Sequence, residues 1–409
     1  MKRTFALLTI VSAAPFAAHA QSSVTLYGVI AGGLAWQSNA QTAATSADGR
    51  PRGNARVAML DAGASGPGAS RWGMKGVEDL GGGFSALFAL ESGFNFHTGA
   101  LGQGGTMFGR QAWIGVSGGR YGTVTVGRQG DLAVEYVWPL LYTRDFGNLA
   151  IHPADYDNLN FTRRINNAVK YVSDSFGGLR LGALYSFGGV PGSAARNQYW
   201  SAGASYAGGP LVLGASIINA RDPNASLHGT NANASATGNN FGSPGSAHAP
   251  ETNAAIAGFA SARTQQTVAV AATYAAGAAL VGAAWSNTQF RGLGHLVALN
   301  PLNYAGNASF NTVGVSLRYR ITPFLRAGAS FDYTSGGNVH GKGSARYRQF
   351  NAGAAYALSK ATELYATAAF QHASGTDSWR RPATANIGYL TPSATSRQVA
   401  LSAGVKHLF

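Results

Sequence analysis

The chain is 409 residues long, with 45% hydrophobic residues, only 11% charged residues, a formal net charge of +14 and no cysteine. Roughly 25% charged residues is usual for a soluble domain, so too few are present here to cover a water-exposed surface of this size. A chain without cysteine has no disulfide framework, thiol nucleophile or Cys-based metal site.

The first residues read as an export signal. Lys2 and Arg3 form a basic start, Phe5 to Ala14 supply an apolar stretch, and Ala18-His19-Ala20 is a small-x-small cleavage site before Gln21. Residues 1–20 are therefore expected to be cleaved, leaving 21–409 as one domain. Two of the 30 basic and none of the 16 acidic residues leave with the signal, so the mature charge falls from +14 to +12. The apolar stretch is broken by Pro15 and is too short to span roughly 30 Å of hydrocarbon. No later run reaches about eighteen apolar residues, so no spanning helix is offered.

What recurs instead is alternation. Strands are expected near 23–36, 70–79, 83–94, 107–118, 122–128, 165–175, 178–187 and 198–207, then 210–219, 264–275, 279–287, 310–320, 323–333, 346–357, 361–371 and 396–409. Tight turns such as Asp79-Leu80-Gly81-Gly82, Phe176-Gly177-Gly178 and Thr322-Pro323 join alternate pairs, and long stretches at 37–69, 129–164, 220–263, 288–309 and 372–395 join the others. An even count of strands, with short turns at one end and long loops at the other, is the pattern of an up-and-down outer-membrane β-barrel around an aqueous lumen. The expected fold is thus all-β, a 16-stranded antiparallel transmembrane barrel.

The alternation assigns faces. In 310–320, Val313, Val315, Leu317 and Tyr319 oppose Thr312, Gly314, Ser316, Arg318 and Arg320. In 323–333, Leu325, Ala327, Ala329, Phe331 and Tyr333 oppose Arg326, Gly328, Ser330 and Asp332. An arginine on the lipid face costs about 2–4 kcal/mol at the bilayer midplane and little in a wet lumen, so the polar faces point inward. Aromatics gather near strand ends, among them Trp36, Trp72, Tyr206, Tyr274, Tyr319 and Tyr356, as rings at headgroup level do, and Phe409 closes the last strand as one of them.

Several blocks carry a family resemblance: "SSVTLYGVI" at 22–30, "SRWGMKGVEDLGGGFSALFALESGF" at 70–94, "FGRQAWIGVSGGRYGTVTVGRQ" at 108–129, "INNAVKYVSDSFGGLRLGALYSFG" at 165–188 and the terminal "GVKHLF". Over essentially the whole mature chain the sequence resembles the general porins of β-proteobacteria, of the Neisseria and Comamonas type. The resemblance implies a homotrimer of sixteen-stranded barrels, each narrowed by an inward-folded third loop. It implies that Phe409 belongs to the signal read by the outer-membrane assembly machinery. It also places constriction arginines at Arg71, at Arg110 and at Arg163 or Arg164.

Parity puts Arg71, Lys75, Lys170, Arg180, Arg318, Arg320, Arg326 and Lys406 in the lumen, against Glu91, Asp332 and Glu363. Inward basic residues favour anions, and low-dielectric walls focus their field. Arg110 shares parity with the lipid-facing Ala112, Ile114 and Val116, so either a bulge shifts the phase or it stands at the rim. The third loop, 129–164, holds the acids Asp131, Glu135, Asp145, Asp155 and Asp157. Facing a basic wall, they would set up a transverse field across the constriction; taken singly, each is better read as a pin that fastens the loop.

The expected function is general diffusion of ions and small hydrophilic solutes with anion preference. A channel specific for sugars, phosphate or organic anions is the alternative, and a barrel enzyme, which needs a His clustered with Ser or Asp at a rim, a weaker one, because of the expected strands only the last carries a histidine well inside it. No cofactor is expected: "DYDN" at 155–158 lacks the glycine and distant glutamate of a calcium loop, and the nine histidines show no ligand spacing. Basic residues are scattered over the strands, which argues against nucleic acid. Rim residues such as Arg346 and Arg348 suit outer-membrane lipid and anionic lipopolysaccharide, and the 220–263 loop is low in complexity.

Overall fold

A computed structural model describes residues 23–43, 52–223, 254–341 and 343–409. The signal at 1–20 and the centre of the low-complexity loop, 224–253, lie outside the described residues. The first half of the sheet contains β1 (Ser23–Ala43), β2 (Arg52–Asp61), β3 (Arg71–Gly81), β4 (Phe84–Gly93), β5 (Gln111–Ser117), β6 (Thr123–Gln129), β7 (Ile165–Val172), β8 (Leu179–Ser186) and β9 (Tyr199–Gly208). The second contains β10 (Leu211–Arg221), β11 (Thr264–Ala276), β12 (Ala279–Leu293), β13 (Gly306–Arg320), β14 (Leu325–Gly336), β15 (Ser344–Ala357), β16 (Thr362–Thr376) and β17 (Arg397–Leu408). Every pairing is antiparallel, and β17 returns to β1 from Val29↔Leu408 to Gln37↔Ala400, which closes the sheet into a barrel.

Seventeen strands build sixteen staves, because β2 and β3 lie end to end along β1. Gly32 pairs with Asp61 and Val29 with Arg71, so residues 62–70 are an excursion inserted into one stave. Ser70 bridges the gap: the amide of Ala31 donates to its hydroxyl at 3.0 Å, and the hydroxyl donates to the Ala31 carbonyl at 3.1 Å. The excursion holds the short helix α1 (Ala62–Ser65), capped by Asp61 through the amide of Gly63. The stretch expected as loop at 37–69 therefore contains the end of β1 and all of β2. Strands β12, β13 and β16 also run beyond their expected ends.

The two faces meet different surroundings. On β13, Val313, Val315, Leu317 and Tyr319 are about half exposed while Thr312 and Arg318 are buried inward. The register carries this across the sheet, with Val313 opposite Trp285 and Tyr333 and Leu317 opposite Val281 and Ala329. Short turns join the staves at one end, and Gly177 (φ 60°), Gly178 (φ 89°) and Gly277 (φ 59°) hold the left-handed conformation these reversals demand. Arg346 and Arg348 stand on the outward face of β15 at the long-loop end, alternating with the buried Ala345, Tyr347 and Gln349.

At the other end the loops turn into the barrel. Residues 130–164 run inside it and carry α2 (Leu132–Tyr136) and α3 (Thr143–Phe146). Asp131 caps α2, accepting from the amides of Ala133 and Val134 at 3.0 and 3.1 Å. Glycines on three adjacent staves make room for it: a β-carbon on Gly182 or Gly203 would strike Leu132 and Tyr136, and one on Gly214 would lie 2.0 Å from the Tyr136 carbonyl oxygen. Gly328 and Gly353 do the same for Phe146. A second apolar group, in which Ile256 and Phe259 meet Tyr156, Phe290, Phe310 and Tyr347, fills the interior beside β12 to β15. Open space is thereby left toward β1–β5 and β17.

Candidate pore constriction

The open space is a cavity of about 760 Å³. Its barrel side is built by the 61–71 excursion, by Glu91 of β4, by Arg110 just before β5 and by Lys406 of β17. Its loop side is built by Trp138, Thr143, Arg144, Asn148, Asn160, Phe161 and Arg164, with Tyr389 from the last long loop. Five cationic side chains, Arg71, Arg110, Arg144, Arg164 and Lys406, line it against two carboxylates, Asp61 and Glu91.

Both carboxylates are occupied. Asp61 accepts from the amides of Gly63 and Ser70 at 2.7 and 3.2 Å. Glu91, 4% exposed, takes the Arg110 Nε at 2.6 Å, the Arg71 Nε at 3.5 Å and the Tyr27 hydroxyl at 3.0 Å. One buried carboxylate thus organises two guanidiniums, and charge-assisted hydrogen bonds of this type fix their direction. Lys75 stands 5.6 Å from the centre of the Tyr27 ring. Arg144 is exposed to the cavity and lies within electrostatic range of both Arg71 and Lys406. Burial, with Arg110 and Arg128 nearby, pulls the Arg164 guanidinium down to about 9, which leaves it charged at neutral pH.

Arg110 escapes its parity because the ladder ends at Glu91↔Gln111, one residue after it. Standing at the rim, its side chain is free to turn into the lumen. Arg163 and Arg164 are both buried, but Arg163 donates to Gln265 Oε1 at 2.9 Å, while Arg164 borders the cavity. Of the remaining basic residues placed inward, Lys170 meets Glu135 at 3.1 Å, Arg318 meets Asp145 at 2.9 Å and Arg326 meets Glu363 at 2.6 Å. Arg180 lies between the outward Leu179 and Leu181, and Arg320 lies opposite Arg326 near the short-turn end.

The loop acids differ from the expected transverse field. None of Asp131, Glu135, Asp145, Asp155 and Asp157 lines the cavity. Asp131, Asp155 and Asp157 are at most 1% exposed. Asp131 Oδ2 accepts from Asn158 at 2.8 Å and from the Tyr199 hydroxyl at 2.5 Å. Asp155 accepts from the Asn160 amide and the Thr162 hydroxyl, at 3.0 and 2.7 Å. Burial, with Asp157 beside it, lifts Asp155 to about 7. Asp157 pairs with His152 Nδ1 at 2.6 Å and accepts from Ser286 at 2.6 Å, and His152 Nε2 faces Asp332 of β14 at 3.7 Å. Burial alone would lower His152 and raise Asp157, but each charge outweighs it, holding the imidazole well above and the carboxyl below its ordinary value. The physical reason for the difference is that an exposed acid gains little from a distant basic wall, whereas a direct partner in a low dielectric fixes the loop.

Several lining elements are not singled out by the sequence, among them Tyr389, Arg144 and the 62–70 excursion. Arg144 is one cation among many, and only the inward fold of the loop singles it out. The 61–71 excursion has a sequence signal in retrospect: the capping aspartate and the small residues of "DAGASGPGAS" between two alternating stretches.

A closed sixteen-stave barrel, apolar outside, with a charge-lined passage narrowed by its own third loop, defines an outer-membrane channel protein. The profile of the Gram-negative porins matches residues 6–322 and 294–376, and the chain belongs to that family. It is 34% identical over 198 residues to an outer membrane porin of Bordetella pertussis, covering 46% of this chain and 48% of that one. It is 31% identical over 208 residues to outer membrane porin protein 32 of Delftia acidovorans, covering 46% of this chain and 50% of that one. These alignments span about half the length of either relative. The fold is similar to that of an anion-selective porin from Comamonas acidovorans, with TM-score 0.65 and 21% identity over 95% of this chain and all of that one. It is also similar to a trimer form of OmpT from Vibrio cholerae, with TM-score 0.62 and 15% identity over 95% and 99% of the two chains.

Proposed function

We propose that this porin is a general diffusion channel for ions and small hydrophilic solutes, with a preference for anions. The observation that carries the reading is the excess of cations over carboxylates around the cavity left in the lumen beside the third loop, where both carboxylates are already bonded to protein. Unneutralised positive charge between low-dielectric walls lowers the barrier to anions and raises it to cations. The constriction cations we assign are Arg71, Arg110, Arg144, Arg164 and Lys406. The remaining inward bases hold the loop or line the wider ends. The loop acids act by fastening the loop and so set the bore. We assign no catalysis to the chain.

Outward small residues on β9 and β10 suit close subunit contact, and the trimer form of the Vibrio protein supports a homotrimer. Arg346 and Arg348 suit the phosphates of lipopolysaccharide, and Phe409, whose ring packs over Gly28, suits recognition by the assembly machinery. The test is single-channel recording of purified protein in a planar bilayer under a KCl gradient. Conductance steps in threes with a reversal potential toward chloride are expected. Preference for potassium would overturn the anion reading, and folded protein without conductance would overturn the channel.

A further inference from the structure

We infer that the constriction is a binding site for aromatic carboxylates; this rests on the anion-preferring reading and names the class of solute that would pause there. Charge alone would make the cavity a site for any anion. Its loop side is more particular. Trp138 and Phe161 both line it with ring centres 6.4 Å apart, and each has a guanidinium carbon over its ring, that of Arg144 at 5.4 Å from the Trp138 centre and that of Arg164 at 4.2 Å from the Phe161 centre. Tyr389 supplies a third ring.

Among the described residues neither Arg144 nor Arg164 has a carboxylate partner, unlike Arg71 and Arg110, which share Glu91. Two flat rings and two flat cations therefore stand side by side on one wall, and although Arg164 donates one Nη to the Thr162 carbonyl at 3.1 Å, its buried Nε has no hydrogen-bond partner. An aromatic carboxylate answers both at once. Its carboxylate takes a guanidinium in the paired N–H geometry, and its ring lies against Trp138 or Phe161. A halide or phosphate would use only the cations, and a neutral sugar would bring no charge to them. The cavity falls in the size class of about 300–1,000 Å³ that receives small organic ligands.

The experiment compares interruption of chloride current by benzoate, cyclohexanecarboxylate and benzyl alcohol through the full-length channel in planar bilayers. Benzoate is expected to block about fivefold more tightly than cyclohexanecarboxylate, the equivalent of one aromatic contact, with benzyl alcohol ineffective. Trp138→Ala should erase the difference and Trp138→Phe should keep most of it. Equal block by the two carboxylates, or a benzoate advantage that survives both Trp138→Ala and Phe161→Leu, would overturn the inference while leaving an anion channel. A benzoate advantage in a channel that prefers potassium would instead uphold the site and overturn the selectivity reading.

Discussion

Charge reversal at Arg144 tests where ions are sorted. The side chain is exposed to the cavity and has no ion pair among the described residues, so Arg144→Glu perturbs the passage without stripping a buried partner. A cavity of about 760 Å³ treated as a sphere places an ion roughly 6 Å from its wall. At that distance one unit charge acts with about 0.7 kcal/mol in water, and a reversal changes two units, about 1.4 kcal/mol. Screening at 0.1 M salt, with a Debye length of about 10 Å, reduces this to about 0.8 kcal/mol. The barrier rises by that amount for chloride and falls by it for potassium, so their permeability ratio drops about tenfold. At 1 M salt, where the Debye length is about 3 Å, the same change is about twofold. Reversal potentials at the two salt concentrations measure both values. A ratio unchanged at 0.1 M, or a shift independent of salt, would refute this cavity as the selectivity element.

The way the loop is held gives three further expectations. Gly214→Leu would drive a side chain into the Tyr136 carbonyl, so the loop should be displaced at a cost of about 1–3 kcal/mol, with larger single-channel conductance; conductance at or below the native value would contradict this. Glu91→Gln leaves Arg71 and Arg110 without their shared counter-charge and should lower stability in urea by about 2 kcal/mol while increasing chloride preference; a fall in chloride preference would count against it. The raised His152 stabilises the loop below the ordinary imidazole pKa, and that contribution is lost as pH climbs through the raised value; the depressed Asp157 contributes above the ordinary carboxyl pKa and is lost as pH falls through the depressed one. Asp155, raised to about 7, costs the loop stability as pH climbs from the ordinary carboxyl value through 7, so open-channel noise should be lowest in mildly acid solution and grow through neutral to alkaline pH, and His152→Gln should remove only the alkaline part of that growth.

The barrel was legible because its signal is local: Val313, Leu317, Phe331 and Tyr333 announce their face by spacing alone. Strand β2 was hidden because Val57 and Met59 give only two clear outward residues before the small-residue excursion begins. Inward bases such as Arg318 follow from parity, but their partners do not. Arg318 meets Asp145 across 173 residues of chain, and Asp131 meets Tyr199 across 68. Whether an acid in 129–164 faces the passage or the wall is decided by contacts of that range, which no spacing rule reaches. Arg110 shows the complementary failure, since parity governs a side chain only while its ladder lasts.

Those long separations bear on the order in which the molecule can be made. Leu140 gives its carbonyl to Arg318, Tyr142 gives its hydroxyl to the Gly328 carbonyl, and Leu149 receives Gln349. Each fastening joins the first half of the chain to staves of the second half, β13 to β15. A nascent barrel holding only β1 to β10 would have the seat for α2 but not the clasps for α3, so its bore stays unset until β13 to β15 are in place. The loop clasps and the β1–β17 seam thus both wait on the second half of the sheet, and non-local pairing of this kind is slow to find. A half-built barrel would be a wide leak, and the late arrival of the staves that fasten the loop gives the cell a reason to complete insertion and closure together.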